Sequence, residues 1–321
     1  MIPPTELLTA IPNALSNLDL SAFGLQSSGK VREMVSLGDA RRLLVTTDRI
    51  SAFDVVLGVI PYKGQVLNQL SAWWFEQTKD IVANHLLAIP DENAVIAKEA
   101  KPLPIEVVVR GYITGVTKTS LWTHYQQGTR DAYGIVLPDG LEKNDALPKA
   151  IITPTTKAEL GGHDEQITRE QILSRGLVSP ELWEKVETAA LGLFARGQEL
   201  AAKQGLLLVD TKYEFGTIND ELILIDEIHT PDSSRYWTKS SYQADKTKPY
   251  SIDKEFLRLW FTQRNYNGSG TPPIMPEDFI AEVAGRYISA YEQITGLTFV
   301  AGSQPAAPRI LAAIKTYLGA G

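Results

Sequence analysis

The chain has 321 residues, of which 44% are hydrophobic, enough for one large domain or two lobes. Its formal net charge of -7 argues against a broad basic surface for nucleic acid, so any phosphate it binds is expected in a local pocket. The absence of cysteine excludes disulfides, thiolate metal sites and cysteine nucleophiles. The N-terminus lacks a basic start, and no stretch reaches the roughly 18 apolar residues of a membrane span. We therefore expect a cytoplasmic protein.

The first half of the chain predicts strands followed by a helix. Residues 30–37 alternate polar and apolar side chains, Gly38 and Asp39 signal a turn, and residues 41–48 resume with β-branched side chains, which is typical of a hairpin. Two short apolar runs divided by Gly58 follow as further strands. The next apolar residues have helical spacing and predict a helix through Leu70, Trp73, Trp74, Ile81 and Leu86.

The second half predicts a mixture of strands and helices. Residues 104–113 form a dense β-branched strand, and a long helix is expected from Ser179 to Gln204, with Gly205 as its end signal. Two apolar strands then flank a turn at Asn219 and Asp220. Helical patterns at 280–295 and 310–318 complete the chain and are expected to pack as a C-terminal cap.

The hairpin around Asn219 carries acidic residues within apolar runs. Asp210, Lys212 and Glu214 point to one face because side chains alternate along a strand. Asp226 and Glu227 are expected on the partner strand, where a buried carboxylate needs a cation. Hard oxygen ligands suit Mg²⁺, so Glu214 and Asp226 are candidate ligands. An ordinary solvated sheet face with cross-strand ion pairs would use the same pattern.

Two turns could bind phosphate. The backbone amides near Gly29 could cradle phosphate while Lys30 and Arg32 neutralise it, although an ordinary hairpin turn fits the same residues. Asp48, Ser51 and Asp54 surround a later bend, where such side chains most often bond their own backbone.

Isolated charged residues add further candidates. Arg110 ends a strand and Arg235 follows a turn, positions from which a guanidinium could hold phosphate or carboxylate, or form a structural ion pair. His163 could be a general base or a loop histidine; we favour the loop, since no partner spacing singles it out.

These fragments, in this order, resemble the phosphoribosylaminoimidazole-succinocarboxamide synthase, or SAICAR synthetase, family. The resemblance extends from about Ser28 to Trp237, and finding its motifs collinear is far more specific than any one of them. The motifs are SGKVREM, TTDRISAFD, IPYKGQVLNQLSAWWF, EVVVRGYITG, TPTTKAE with GGHDE, LVDTKYEFG and IDEIHTPDSSRYW.

The resemblance implies an α+β fold with a small kinase-like, β-rich N-terminal lobe over residues 1–104. Residues 105–321 would form a larger lobe related to ATP-grasp folds, with the metal and substrate hairpin and the C-terminal helices. ATP would lie between the lobes beneath the glycine loop. The ATP-binding residues implied are Gly29, Lys30, Arg32, Glu106, Lys157 and Lys212.

The resemblance also implies the rest of the site. Glu214 and Asp226 match the family's Mg²⁺ ligands, and Lys212 and Asp210 match catalytic positions. The ribotide would be held by Arg110, Arg235 and Asp210. Some members have a serine directly after the glycine of the arginine motif. Here Val116 follows Gly115, and Ser120 is assigned as the substrate-binding hydroxyl.

The implied reaction condenses carboxyaminoimidazole ribotide (CAIR) with L-aspartate, using ATP, to give SAICAR, ADP and phosphate, through an acyl phosphate. The partners are small molecules, without nucleic acid or membrane; the sequence favours neither a monomer nor a homo-oligomer. A kinase is the nearest alternative, but HRD-type and DFG motifs are missing from the sequence. A nucleotide-binding protein without turnover is the other alternative.

Overall fold

A computed structural model describes residues 2–115, 120–157 and 165–319 of the chain. The strands are β1 Gln26–Ser28, β2 Arg32–Gly38, β3 Arg41–Thr46, β4 Arg49–Ala52, β5 Val55–Val59, β6 Leu86–Asp91, β7 Ala94–Lys98, β8 Lys101–Tyr112, β9 Asp131–Ala132, β10 Ile135–Val136, β11 Ala146–Ile152, β12 Thr155–Thr156, β13 Leu206–Ile218, β14 Glu221–Ile225 and β15 Ser234–Thr238. The helices are α1 Pro4–Ala10, α2 Lys63–Thr78, α3 Leu121–Gln126, α4 Arg169–Ser174, α5 Pro180–Lys203, α6 Lys239–Ala244, α7 Glu255–Thr262, α8 Glu277–Thr295 and α9 Ala306–Leu318.

Two antiparallel sheets organise the described chain. The first has the order β1-β2-β3-β7-β6. The second follows the path β11-β8-β13-β14, with β12 also paired to β8 and β15 also paired to β13. β13 thus contacts three strands, and its alternate side chains share a face flanked by β8 and β15. The mixed α+β prediction is confirmed, and so is the β2–β3 hairpin.

Local signals explain the ends of the best-predicted elements. The Ser179 hydroxyl accepts a hydrogen bond from the Leu182 amide at 3.2 Å and begins α5, while Gly205 after its end has φ +70°. At the β13–β14 turn, Asn219 and Asp220 have φ of 50° and 64°, the geometry of a tight hairpin. These predictions and the two C-terminal helices are confirmed.

Three sequence predictions need correction. Gly58 does not divide the two strands that follow the first hairpin, because it lies within β5 and the break between β4 and β5 falls at Phe53 and Asp54. α2 begins at Lys63 and ends at Thr78, and Leu86 opens β6 instead of continuing the helix. The chain is drawn into extended structure there because the Leu224 amide donates to the Ala83 carbonyl and the His85 amide donates to Leu224. Asp226 and Glu227 do not lie within the partner strand, which ends at Ile225.

The predicted lobe boundary at residue 104 stays a prediction, but the hydrophobic cores cross it in both directions. α9 supplies Ile310 and Ile314 to the core beneath the first sheet, beside Val35 and Leu43. Conversely, α2 supplies Trp74 and its neighbours to the core beneath the second sheet. The last helix of the chain therefore stabilises the first sheet.

Candidate active site

The central feature of the candidate site is one face of β13. Asp210, Lys212 and Glu214 follow one another at two-residue intervals, as the strand pattern predicts. On the neighbouring strand β8, Arg110 lies opposite Asp210 and Glu106 lies opposite Glu214. The face therefore has two ends, which we call the nucleotide end, around Lys212 and Glu214, and the substrate end, around Asp210.

At the nucleotide end, Lys212 joins two carboxylates. Its ammonium lies 2.8 Å from Glu106 Oε1 and 2.6 Å from Glu214 Oε1, and Lys157 donates to the other oxygen of Glu214. Burial opposes the charge on Lys212, but the carboxylates of Glu214, Asp226 and Glu106 outweigh it and raise its pKa. Lys212 is therefore a fixed positive charge at this position.

The loop after β14 brings a second carboxylate pair to the same end. Asp226 has φ +67°, which turns its carboxylate out of the strand direction and toward Arg32, the residue that donates to it. Glu227 lies 3.4 Å from the same guanidinium. The left-handed backbone conformation at Asp226 is strained for residues other than glycine, and it places the carboxylate at the cleft.

The two predicted metal ligands have opposite pKa shifts. Burial opposes ionisation of Glu214, but Lys212 and Lys157 lower its pKa to about 2. Burial raises the pKa of Asp226 to about 6; Arg32 opposes the shift, while Glu214 and Glu227 add to it. The ionised form of the Asp226 carboxyl is therefore disfavoured by its surroundings, and a cation bound beside it would stabilise that form.

The residues present fit a Mg²⁺ ion. Among the described residues, no group of three or more acidic or histidine side chains is arranged to hold a metal. Mg²⁺, however, commonly takes one or two carboxylates and completes its shell with phosphates and water. Glu214 and Asp226 both line one cleft, so the pair suits a metal that arrives with a nucleotide.

This nucleotide cleft has a volume of about 220 Å³. Gly29 and Lys30, in the loop before β2, and Arg32, the first residue of β2, line it together with Lys157. Lys30 also pairs with the exposed carboxylate of Asp54. The structure therefore gathers all the predicted ATP-binding residues either on the cleft wall or in the Lys212 network behind it.

At the substrate end, two arginines share one carboxylate. Arg110 and Arg235 lie 3.1 and 2.6 Å from Asp210 Oδ2, and the Arg110 Nε also donates to Thr153 at 2.9 Å. Burial opposes the charge of Arg235, but Asp210 and Glu255 raise its pKa. The predicted substrate residues Arg110, Asp210 and Arg235 are therefore in direct contact.

A second open pocket adjoins this end. Its lining includes Arg235, Lys143 and Lys248 together with Glu255 and Trp237. Two lysines and an arginine give the pocket a positive lining that suits an anionic group. Sequence reasoning missed Lys143 and Lys248 because single lysines in polar loops have no distinguishing pattern. It also missed His85, a buried residue that lines the nucleotide cleft.

Ser120 lies beside Gly115 and begins α3. Its hydroxyl accepts from the Thr123 amide at 3.3 Å, which is the role of a helix N-cap, and it is buried. A side chain at Gly115 would lie 2.3 Å from the Ser120 Cβ, so the close approach requires glycine. His163 and the segment 116–119, where the arginine motif departs from the resemblance, lie outside the described residues.

Comparisons with known proteins agree with this architecture. A model of the SAICAR synthetase family matches residues 25–273. The chain is similar to a phosphoribosylaminoimidazole-succinocarboxamide synthase of Legionella pneumophila strain Paris, with 52% identity over 305 residues that cover 92% of this chain and 96% of the relative. A chloroplastic synthase of Arabidopsis thaliana is 49% identical over 296 residues, covering 89% of this chain and 71% of the relative.

A solved structure has the same fold. The SAICAR synthase of Saccharomyces cerevisiae, solved in complex with SAICAR, superimposes with a TM-score of 0.77 and 33% identity. The match covers 90% of this chain and all of the yeast chain. Over the described residues, no helix is long and apolar enough to cross a membrane.

Proposed function

The chain belongs to the SAICAR synthetase family, and on that premise we propose how its residues carry out the family's reaction. The reaction is the ATP-dependent condensation of CAIR with L-aspartate to SAICAR in purine biosynthesis. The observation that carries the proposal is the single face of β13, on which Asp210, Lys212 and Glu214 join the nucleotide end to the substrate end.

The reaction needs an activated carboxylate. Oxide is a poor leaving group, so the CAIR carboxylate first takes the terminal phosphoryl group of ATP and becomes an acyl phosphate. The amine of L-aspartate then attacks the acyl carbon, the C–N bond forms, and phosphate leaves. Phosphoryl transfer depends on positioning and charge neutralisation, so no protein nucleophile is required.

The nucleotide end supplies this positioning. The loop at Gly29 covers the phosphates, and Lys30 and Lys157, which both line the cleft, neutralise them. Lys212 lies between Glu106 and Glu214, where its ammonium is held toward the transferring group. Glu106 has two proposed roles. It holds the Lys212 ammonium in place, and it contacts the nucleotide.

Glu214 and Asp226 would hold Mg²⁺. When bound, the ion supplies charge neutralisation for the ATP phosphates. Arg32 donates to Asp226, and Lys157 donates to Glu214. Arg32 and Lys157 line the same cleft. Each therefore exchanges its carboxylate partner for a phosphate group when ATP binds.

The substrate end orients the ribotide. Arg110 and Arg235 are fixed by Asp210, and the positive pocket beside Arg235 receives the ribotide phosphate. The amine of L-aspartate must lose a proton when the C–N bond forms, and the Asp210 carboxylate is our candidate acceptor of that proton. Ser120 contributes the hydroxyl implied by the family motif.

A cytoplasmic location stays a prediction, since a related synthase is chloroplastic.

Replacing Asp226 by Asn tests the metal assignment. The variant keeps the size of the side chain but removes a charge, so turnover at ordinary Mg²⁺ should fall by roughly 10²- to 10³-fold, as expected for loss of several kcal/mol of charge stabilisation. Turnover is measured against Mg²⁺ concentration. Asp139→Asn, at a surface ion pair with Arg130, is the matched control. Wild-type turnover in folded Asp226→Asn would rule the assignment out.

Isotope transfer tests the acyl phosphate. CAIR carrying ¹⁸O in its carboxylate should deliver one ¹⁸O atom to the released phosphate for each SAICAR formed, because the bridging oxygen leaves with phosphorus. Mass spectrometry of the phosphate measures the transfer. Phosphate free of ¹⁸O at full turnover would exclude this intermediate.

A further inference from the structure

Arg49 is a partly buried residue at the start of β4 that lies outside the lining of the nucleotide cleft. Its side chain is 14% exposed, and each of its five N–H groups has an acceptor. Three of these bonds reach backbone carbonyls of the glycine loop, at Gly29 with 2.9 Å, Lys30 with 3.0 Å and Arg32 with 3.3 Å. The other two reach the Ser16 carbonyl and Glu33 Oε1, at 2.7 and 2.6 Å.

The remaining carbonyl of the loop, that of Val31, also accepts hydrogen bonds from a residue outside the loop. The Val31 oxygen accepts from both the amide and the hydroxyl of Thr47, each at 2.9 Å. The four successive carbonyls of residues 29–32 therefore accept from Arg49 or Thr47, and the Arg32 carbonyl also accepts from the Gly29 amide at 2.8 Å. The amides of Lys30 and Val31, in contrast, have no acceptor within the described part of the chain, and both residues line the nucleotide cleft.

Glu33 fixes the guanidinium in turn. It is 2% exposed and also accepts from Gln26 at 2.9 Å and from Ser28. Burial opposes its ionisation, but the hydrogen bonds from Ser28, Arg49 and Gln26 outweigh burial and lower its pKa. The ion pair thus compensates the buried charge of Arg49 and leaves its other donors directed at the loop.

We propose that Arg49 is a positioning residue for ATP, which binds the outward carbonyls of the glycine loop and so directs the loop's amides at the phosphates. A loop that presents N–H groups to an anion must turn its carbonyls the other way, and those carbonyls need donors. One guanidinium with a rigid fork serves three of them. The inference rests on the proposed function, because it takes the loop at Gly29 as the phosphate-binding loop.

The variant Arg49→Lys tests the inference. Lysine keeps the positive charge beside Glu33 but has three donors instead of five and cannot span the loop. The KM for ATP should rise roughly 10- to 100-fold, the range for loss of a supporting hydrogen-bond partner, while the KM values for CAIR and aspartate stay within about twofold. Arg41→Lys, on the neighbouring hairpin and paired with exposed Asp39, should change none of them.

Thr47→Val is a milder second variant. It removes one hydroxyl donor to the Val31 carbonyl and keeps the amide donor, so a smaller rise in the KM for ATP is expected. If Arg49→Lys fails to fold, this variant decides the outcome. An unchanged KM for ATP in Thr47→Val would then overturn the inference.

Lys30→Ala separates the inference from the proposed function. Lys30 lies on the cleft wall, and its removal should raise the KM for ATP by direct loss of charge. If Lys30→Ala weakens ATP binding but folded Arg49→Lys does not, the role of Arg49 is wrong and the proposed phosphate loop stands. If neither variant changes the KM for ATP, the proposed loop itself is wrong. An equal rise in all three KM values would mean that Arg49 is merely structural.

Discussion

The ion pairs at the two ends of the β13 face have opposite charge balances. At the nucleotide end, the ion-pair network contains four carboxylates and three cations, namely Glu106, Glu214, Asp226 and Glu227 with Arg32, Lys157 and Lys212. At the substrate end, it contains three arginines and two carboxylates, namely Arg110, Arg235 and Arg258 with Asp210 and Glu255. Within these ion pairs, the carboxylates outnumber the cations by one at the nucleotide end, and the arginines outnumber the carboxylates by one at the substrate end.

This difference shows how one strand can serve two anionic substrates. The carboxylates of Glu214 and Asp226 would repel the phosphates of ATP unless a divalent cation lies between them, so this pair favours a metal complex over the free nucleotide. Positive excess at the substrate end favours a phosphorylated, carboxylated ribotide directly. Because Lys212 and Asp210 are two residues apart on one face, the groups bound at the two ends can meet.

The largest effect is expected from Lys212→Met, which deepens the negative excess at the nucleotide end. The variant leaves Glu106 and Glu214 without their shared ammonium and, on the proposed mechanism, removes a donor to the transferring group. We expect kcat to fall on the order of 10²- to 10³-fold, as for loss of one preorganised donor at a reacting oxygen. Steady-state kinetics at saturating substrates measures it. A kcat within twofold of wild type would show that the charge difference along β13 has no catalytic use.

Changing Arg235 to Gln removes the positive excess at the substrate end. The KM for CAIR should rise about 10- to 100-fold, since a hydrogen bond to a charged group contributes about 1.5–3 kcal/mol. The KM for ATP should stay near wild type because Arg235 contacts Asp210 and lies near Glu255, both in the substrate-end network. Arg264→Gln, at an exposed position stacked on Trp260, is the matched control. Equal rises in both KM values would remove the distinction between the two ends.

The β13 face could be predicted from sequence because alternation along a strand is a local property. Asp210, Lys212 and Glu214 stand at two-residue intervals whatever the rest of the chain does. The pairing of Asp210 with Arg110 could not be predicted in this way, because it depends on β13 lying beside β8, a strand 100 positions earlier. Sequence pattern therefore identified the charged face, and the sheet order supplied its partners.

Predictions failed where long-range contacts override local pattern. Asp226 continues an apolar run and was expected within the strand, but its left-handed backbone turns it toward Arg32. Helix α2 stops at Thr78 although apolar residues continue at helical spacing, because residues 83–85 pair with Leu224. Arg49 carries no local signal, since four of its five acceptors are backbone carbonyls, which every sequence supplies.

On the face of β13 opposite the charged residues, Tyr213 contacts the side chain of His229. A variant of His229 tests whether this contact, made by an uncharged imidazole, supports both ends of the charged face. His229 is fully buried, its Nε2 lies 2.5 Å from the Tyr213 hydroxyl, and Tyr236 donates to its carbonyl at 2.8 Å. Tyr213 stands between Lys212 and Glu214, and Tyr236 follows Arg235 in the chain. One neutral histidine is thus bonded to a neighbour of each end.

Burial lowers the pKa of His229 to about 3, so the unfolded chain binds more protons than the folded one between pH 6.5 and about 3. The contribution of His229 to stability is therefore complete above pH 6.5 and is lost as pH falls, by up to about 1.4 kcal/mol per pH unit. Urea unfolding of wild type and His229→Gln at several pH values measures the difference in slope. Identical slopes would mean that the histidine is not held neutral.

The smallest effect is expected at Ser120, and it decides how far the substrate end extends. Ser120→Ala removes the N-cap of α3 and should lower the free energy of unfolding by about 1 kcal/mol. If Ser120 also contacts the ribotide, the KM for CAIR rises several-fold, because the hydroxyl gives up its Thr123 partner for the substrate. Ser179→Ala removes the comparable cap of α5 and is the matched control for stability alone. A KM for CAIR that is equal in the two variants would confine the substrate end to Arg110, Asp210 and Arg235 and leave Ser120 as a helix cap.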